Sequence, residues 1–307
     1  MKTKNKKFIS AVVYVHNSEN AVGNFLEMLH DVLVVNFEKF EIICVNDYSS
    51  DNSKECIRQA AKDLPECMVS VVNTGFYQGV ETAMLAGIDL AIGDFVFEFD
   101  DMTVDYNPDL IVDCYNRCIQ GFDIVSCGTG SKRSSSKLFY SIFNRYSGVQ
   151  YPIKSETFRV ISRRAINRVY AISPNPIYRK ALYHNCGLKT DYLDYVGTGS
   201  RLRNNLKNPQ DTAITSLLLF TSVAYKATLA LAFTMMLATL ASIIYVVVIY
   251  ITGTPAEGYT TIVILISGAF FALFTILAVV IKYLSVVLQF VFQRQRYVLE
   301  SIEKLTG

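Results

Sequence analysis

The apolar positions of this chain change period along its length, and each period predicts a different kind of element. Residues 8–15 (FISAVVYV) form a short apolar run rich in β-branched side chains, as in a strand buried on both faces of a parallel sheet. Between 21 and 35, Val22, Phe25, Leu26, Leu29 and Leu33 recur at helical spacing. Further strands are predicted over 41–45, 69–72 and 95–99, and a helix over 80–91 gathers Ala83, Met84, Gly87 and Ile88 on one side. Strands alternating with helices imply an α/β domain with a mainly parallel sheet and right-handed crossovers. Ligands of such sheets sit beyond the carboxyl ends of the strands. Polar clusters at 16–19, 46–51 and 100–105 fall there.

After residue 226 the pattern becomes apolar on every side. Residues 227–251 and 259–281 carry no charge, and runs of about 23–25 residues span a hydrocarbon core of about 30 Å as helices. The linker between them holds Gly253, Pro255 and Gly258, with Glu257 as its charge. Uncharged runs this long are rare in soluble cores, so a two-helix transmembrane hairpin is expected. The flanking segments 212–225 and 285–298 mix apolar with polar positions and read as interfacial helices lying on the bilayer. The expected division is a catalytic domain at 1–208 and a membrane domain at 209–307.

Charge sets the orientation of that hairpin. Of 29 Lys and Arg, only Lys226, Lys282, Arg294, Arg296 and Lys304 lie beyond Gln210. Arg201, Arg203, Lys207 and Lys226 precede the first span, Lys282, Arg294 and Arg296 follow the second, and the loop between them has none. The positive-inside rule then predicts a multi-pass protein of the cell membrane with the large domain and both termini cytoplasmic. A net charge of +2, with no basic stripe interleaved with aromatics, argues against nucleic acid as a partner. Seven cysteines without a CxxC pair fit reduced thiols in a cytosolic domain better than disulfides or zinc.

The polar clusters offer candidate chemistry, each beside a plainer alternative. Asp47 and Asp51 could accept hydrogen bonds from a ribose or base, or could form an Asx turn and helix cap. Glu98, Asp100, Asp101 and Asp105 could supply oxygen ligands to Mg2+ or Mn2+ beside a nucleotide diphosphate, or could be a solvated acidic loop. The basic residues between 132 and 168 could grip phosphate, or could form a solvated face.

Taken together, VVYVHNSEN (12–20), EIICVNDYSSDNS (41–53), GVETAMLAGIDLAIGDFVFEFDD (79–101), SKLFYSIFNRYSGVQYPIKSETFRVISRRAINRV (136–169) and the tail KYLSVVLQFVFQRQRYVLE (282–300) resemble family 2 glycosyltransferases. The likeness is to the polyprenyl-phosphate branch, which includes dolichol-phosphate mannose synthases and bactoprenol glucosyltransferases, and it covers almost the whole chain. It implies a GT-A nucleotide-sugar-binding domain, a divalent Mg2+ or Mn2+, and transfer of one sugar to a membrane polyprenyl phosphate. Carried over by position, Val15, Asn17, Glu19, Asp47 and Asp51 would contact the nucleotide, with Asp47 at the base. Asp100 would match the first aspartate of the Asp-x-Asp metal motif, with Asp101 standing in for the second, whose place is taken by Met102. Arg159, with Lys132, Arg133 and Ser136, would hold the acceptor phosphate, so the catalytic set becomes Asp100, Asp101 and Arg159. The chain departs from the family where Tyr77-Gln78-Gly79 replaces Asn-Phe-Gly and Thr157-Phe158-Arg159 replaces Asp-Phe-Arg.

The expected function is therefore transfer from a nucleotide-sugar, a UDP-sugar foremost, to polyprenyl phosphate, with the bilayer as partner and homo-oligomerisation left open. The alternatives are a membrane-anchored glycosyltransferase with a non-lipid acceptor and a catalytically silent GT-A scaffold in a polysaccharide assembly complex. A chain cut after Gln210 would, on this pattern, keep nucleotide binding and lose lipid use.

Overall fold

The computed structural model describes residues 4–65, 67–129, 154–173, 178–197, 223–253, 258–291 and 297–306. The chain forms two units, one of Met1–Gln210 with Arg294–Gly307 and one of Asp211–Gln293.

In the first unit, β1 (Asn5–Val15), β2 (Phe37–Asn46), β3 (Met68–Thr74) and β4 (Phe95–Phe99) alternate with α1 (Val22–Asn36), α2 (Ser53–Lys62) and α3 (Val80–Leu90). Then come α4 (Asp109–Ile119), β5 (Ile124–Gly128), β6 (Phe158–Ser162), α5 (Arg163–Ile172), α6 (Arg179–Tyr183) and β7 (Thr190–Asp194). The strand order is β7-β5-β6-β4-β1-β2-β3-β8, where β8 is Leu299–Thr306. Strands β4, β1, β2 and β3 pair in parallel, as the alternating pattern predicts. Strand β6 runs antiparallel to both β4 and β5, so the sheet is mixed on that side.

Strand parity sorts the core into two layers. Ile9, Ala11, Val13 and Val15 face α1, α2 and α4 together with Ile42, Cys44, Phe97, Phe99, Phe158 and Val160. Val12, Tyr14, Ile43, Val45, Val96 and Ile161 face the other way, toward α3 and α5. Helix α3 lies close on the sheet because Gly87 has no side chain: a Cβ there would come within 2.4 Å of Val12 Cγ1 and 2.6 Å of Val45 Cγ2. That approach brings the start of α3 to the carboxyl ends of β1 and β2.

The end of the chain corrects the expected domain boundary. The sequence pattern puts all of 209–307 in the membrane module, with a separate interfacial helix at 285–298. Instead the second apolar helix runs on to Val291, and the chain returns to the first unit as β8, antiparallel to β3. The physical reason is that β3, rich in Val, would otherwise be an open sheet edge. Glu303 of β8 fixes the pairing: it accepts from Arg58 Nη2 at 2.7 Å and Asn73 Nδ2 at 3.1 Å, and pairs with Lys54 Nζ at 2.8 Å. Hydrogen bonds from Lys54 and Arg58 hold the Glu303 carboxyl below its ordinary range.

The described residues of the second unit form two helices, α7 (Val223–Thr252) and α8 (Tyr259–Val291), packed on each other. The stretches Ala230–Thr252 and Thr261–Ile281 have mean hydropathies of 2.3 and 2.8 and are long and apolar enough to cross a membrane. Their side chains are mostly exposed in this unit, unlike those of a soluble protein's core helix. The proposed interfacial segment 212–225 lies outside the described residues except for its last three, which begin α7.

Candidate active site

The loops after β1 and β2 interlock through the residues singled out for nucleotide binding. Ser50 N donates to Asn17 Oδ1 at 2.8 Å, Glu19 N to Asp51 Oδ2 at 3.0 Å, and Asn52 N to Glu19 Oε2 at 3.0 Å. Asp51 also accepts from Ser53 N at 3.1 Å and Ser53 Oγ at 2.5 Å, which is the Asx turn weighed from sequence. Burial works against its charge, but these donors prevail and lower its pKa. Asn17 and Tyr48 hold φ of 47° and 50°, an uncommon region for residues with a side chain. Val15 is buried and accepts from Asp47 N at 2.8 Å.

Asp47 is fully buried and its carboxylate is fully used by the protein itself. Oδ1 accepts from Thr74 Oγ1 at 3.0 Å and Gln78 N at 2.9 Å; Oδ2 accepts from Tyr14 Oη at 2.9 Å and Gly79 N at 2.8 Å. Gly79, at φ 82°, is the N-cap of α3, so Asp47 holds the amides that lead into that helix. Four donors leave a carboxylate little capacity to read a base directly. Its observed part is to fix the 75–79 loop, where Tyr77 packs on His16 with ring centroids 4.6 Å apart. Burial and the Asp47 carboxylate push the Tyr14 phenol well above its usual range. Asp47→Asn turns an NH2 toward two of the four donors. It is expected to cost about 2–3 kcal/mol and to speed amide exchange at Gln78 and Gly79, read by hydrogen-exchange mass spectrometry.

The same loop is clipped to the chain beyond the second apolar helix. Gln78 Nε2 donates to Val298 O at 2.6 Å, Val298 N returns to Gln78 Oε1 at 3.0 Å, and Gly75 N donates to Val298 O at 3.1 Å.

Next along the sheet lies a buried network of charge. Glu98 of β4 is paired directly with Arg159 of β6 in the antiparallel register. Their neighbours Phe97, Phe99, Phe158 and Val160 belong to the opposite layer, so parity turns Glu98 and Arg159 toward α6. There Arg179, with no exposed surface, donates from Nε to Glu81 Oε2 at 3.1 Å, from Nη1 to Glu98 Oε2 at 2.6 Å and from Nη2 to Asp100 Oδ1 at 2.7 Å. Arg159, 4% exposed, pairs with Glu156 at 3.2 Å and Glu98 at 3.3 Å, and its Nη2 donates to Asp100 Oδ2. Tyr183 Oη donates to Glu98 Oε1 at 2.5 Å. Burial works against charge on Asp100, but Arg159 and Arg179 outweigh it and hold that carboxyl at about 2. Burial prevails at Glu98, which moves above the usual carboxylate range.

The structure thus brings Asp100 and Arg159 together, but as partners of each other. Arg159, expected at the acceptor phosphate, has its guanidinium engaged by three carboxylates. Asp101 turns to Thr103, whose N and Oγ1 both donate to its Oδ1 at 2.6 Å. Asp105 accepts from Tyr195 Oη at 2.5 Å. Lys132, Arg133 and Ser136 lie outside the described residues. Arg179, Glu81 and Tyr183 were not legible as site residues; the only signal is Arg179-Lys180 set between the apolar Tyr178 and Ala181-Leu182-Tyr183.

A divalent ion needs carboxylate oxygens with free lone pairs on its own side. Both oxygens of Asp100 hold guanidinium groups, one oxygen of Asp101 holds Thr103, and Met102 stands where a second aspartate would come. Among the described residues no three His, Cys, Asp or Glu side chains cluster as a ligand set. In this arrangement the donor set does not fit Mg2+ or Mn2+.

The family model of glycosyl transferase family 2 matches residues 10–187. An uncharacterised glycosyltransferase of Synechocystis is 27% identical over 197 residues, which are 60% of this chain and 59% of the relative. A prophage bactoprenol glucosyl transferase homologue of Escherichia coli is 27% identical over 198 residues, 61% of this chain and 62% of the relative. The chain spans about three fifths of the length of these curated relatives. A mannosyltransferase from Pyrobaculum calidifontis, solved in complex with GDP-Man and Mn2+, aligns with a TM-score of 0.50 at 13% identity, over 95% of this chain and 89% of that one. That likeness is one of fold, and the fold is GT-A with two C-terminal apolar helices.

Proposed function

The chain belongs to glycosyl transferase family 2, and from that premise we propose that it moves a sugar from a nucleotide-sugar, a UDP-sugar, to a polyprenyl phosphate at the cytoplasmic face of the membrane. The observation that carries this reading is connectivity. The GT-A unit is interrupted at Gln210 by two bilayer-length apolar helices and resumes at Arg294. Both ends of such a hairpin leave the bilayer on one side, and the basic residues at 201–226 and 282–296 support the cytoplasmic one. An acceptor held in the bilayer by about 0.8 kcal/mol per buried CH2 will not visit a site that stays in bulk water. The similarity to a bactoprenol glucosyl transferase homologue supports the same acceptor class.

Chemically, the acceptor phosphate oxygen is already ionised near neutral pH, so no strong general base is needed. It forms a bond to the anomeric carbon as the bond from that carbon to the nucleotide's β-phosphate oxygen breaks, and the nucleoside diphosphate leaves with the electron pair. The chain's work is to hold the two reactants in line and keep water out. The interlocked 16–19 and 47–52 loops would seat the nucleoside. Asp100 and Asp101 would border the diphosphate, with Lys132, Arg133 and Ser136 at the acceptor phosphate and Arg159 acting through Asp100.

The test is transfer by the full-length protein in detergent. Labelled UDP-, GDP- and TDP-sugars are offered with polyprenyl phosphate or with free oligosaccharide, with and without Mg2+ or Mn2+. Lipid-soluble label is expected, and its absence with every donor would sink the transferase reading. The clasp of two arginines on Asp100 favours one second reading, a silent GT-A scaffold. Nucleotide binding without transfer would identify it.

A further inference from the structure

Resting on the nucleotide-sugar reading above, we propose that this chain binds its donor's diphosphate without a divalent cation, the charge a metal would supply at Asp100 being built in as Arg159 and Arg179. The two guanidinium groups take one carboxylate oxygen of Asp100 each. They are not adaptable surface groups. Arg179 is fully buried and hydrogen-bonded to Glu81 and Glu98, and the buried Arg159 lies at ion-pair distance from Glu156 and Glu98 without a hydrogen bond to either. An ion seated on Asp100 would stand beside two fixed positive charges. It would also compete with both of them for the remaining lone pairs of one carboxylate.

The rest of the motif points the same way. Met102 offers only a thioether, a soft ligand that suits neither Mg2+ nor Mn2+. Asp101 is folded back on Thr103. Asp100 is about one quarter exposed, and the guanidinium groups on its two oxygens, though shared with Glu81, Glu98 and Glu156, offset part of its repulsion of an incoming diphosphate. Relieving that repulsion is part of what a bridging metal does in a site of free carboxylates.

The full-length protein in zwitterionic detergent is titrated calorimetrically with UDP, GDP and TDP, in excess EDTA and in excess Mn2+. Mn2+ alone is titrated by electron paramagnetic resonance, which reads the free ion. The nucleotide that binds should do so with a Kd that differs by less than about threefold between the two conditions, and the protein should not deplete the Mn2+ signal. A gain of about tenfold or more in affinity with Mn2+, or stoichiometric loss of the Mn2+ signal that Asp100→Asn abolishes, overturns the proposal. If no nucleotide binds in either condition, the nucleotide-sugar reading fails, and the resonance titration alone decides the metal question.

Discussion

Arg179→Met is expected to lower the unfolding free energy of the α/β unit by about 3–5 kcal/mol, the usual cost of removing one member of a buried ion network. The size follows from what is left behind. Arg179 has no exposed surface and serves Glu81, Glu98 and Asp100 at once. Methionine fills much of the same space, so a cavity is a minor part of the loss; the unpaired carboxylates are the major part. Arg179→Lys keeps the charge but not the fork, and a single ammonium does not reach three carboxylates along separate directions. Its loss should fall between wild type and Arg179→Met. The chain has no Trp, and apolar helices stay helical in detergent, so the suitable measurement is hydrogen exchange of the β4 and β6 amides. Equal protection in Arg179→Met and wild type would show that the network contributes nothing to the fold. The network also gives Asp100 a structural part beside its proposed place at the diphosphate. Substituting it therefore tests stability and donor binding together, and activity loss alone does not separate the two.

The sequence made some of this legible and hid the rest for identifiable reasons. Strand β4 is Phe95–Phe99 in both pattern and structure, because Phe95, Val96, Phe97 and Phe99 write an apolar run that only Glu98 interrupts. Helix α1 was legible from Val22, Phe25, Leu26, Leu29 and Leu33, all of which are buried. By contrast β8, LESIEKLT, mixes charged and polar residues among Leu299, Ile302 and Leu305 without the alternation of a strand. Beside two long apolar helices it reads as a polar tail. Arg179 is not legible from sequence because arginine is rarely fully buried, and its partners lie 79 to 98 residues away in sequence. The sequence pattern singles out Asp47, but its saturation depends on the amides of Gln78 and Gly79. Only the close approach of α3 at Gly87 brings those amides to it. Residue types were visible; which of their valences were already spent was not.

The return of the chain as β8 changes what truncation should do. A protein ending after Gln210 keeps every residue that the sequence pattern ties to nucleotide binding, yet it is expected to lose that binding with its solubility. It would expose the Val-rich β3 as an open edge, a template for pairing with other chains. It would strand Arg58, Lys54 and Asn73 without Glu303. It would also free the 75–79 loop from the reciprocal Gln78–Val298 hydrogen bonds, next to the Asp47 hub. Deleting only 211–293 and joining Gln210 to Arg294 by a flexible Gly/Ser linker removes the apolar helices and keeps all three. The two proteins therefore separate the roles of the hairpin and the tail. The internal deletion should be soluble and bind nucleotide within about threefold of the full chain, while the simple truncation binds at least about tenfold more weakly or precipitates. On membrane-embedded polyprenyl phosphate, the internal deletion should transfer poorly, because it no longer brings its site to the headgroup plane. Equal nucleotide affinity in the truncation and the internal deletion would mean that β8 is dispensable to the site. Full lipid transfer by the internal deletion would mean that the apolar helices serve something other than access to the acceptor.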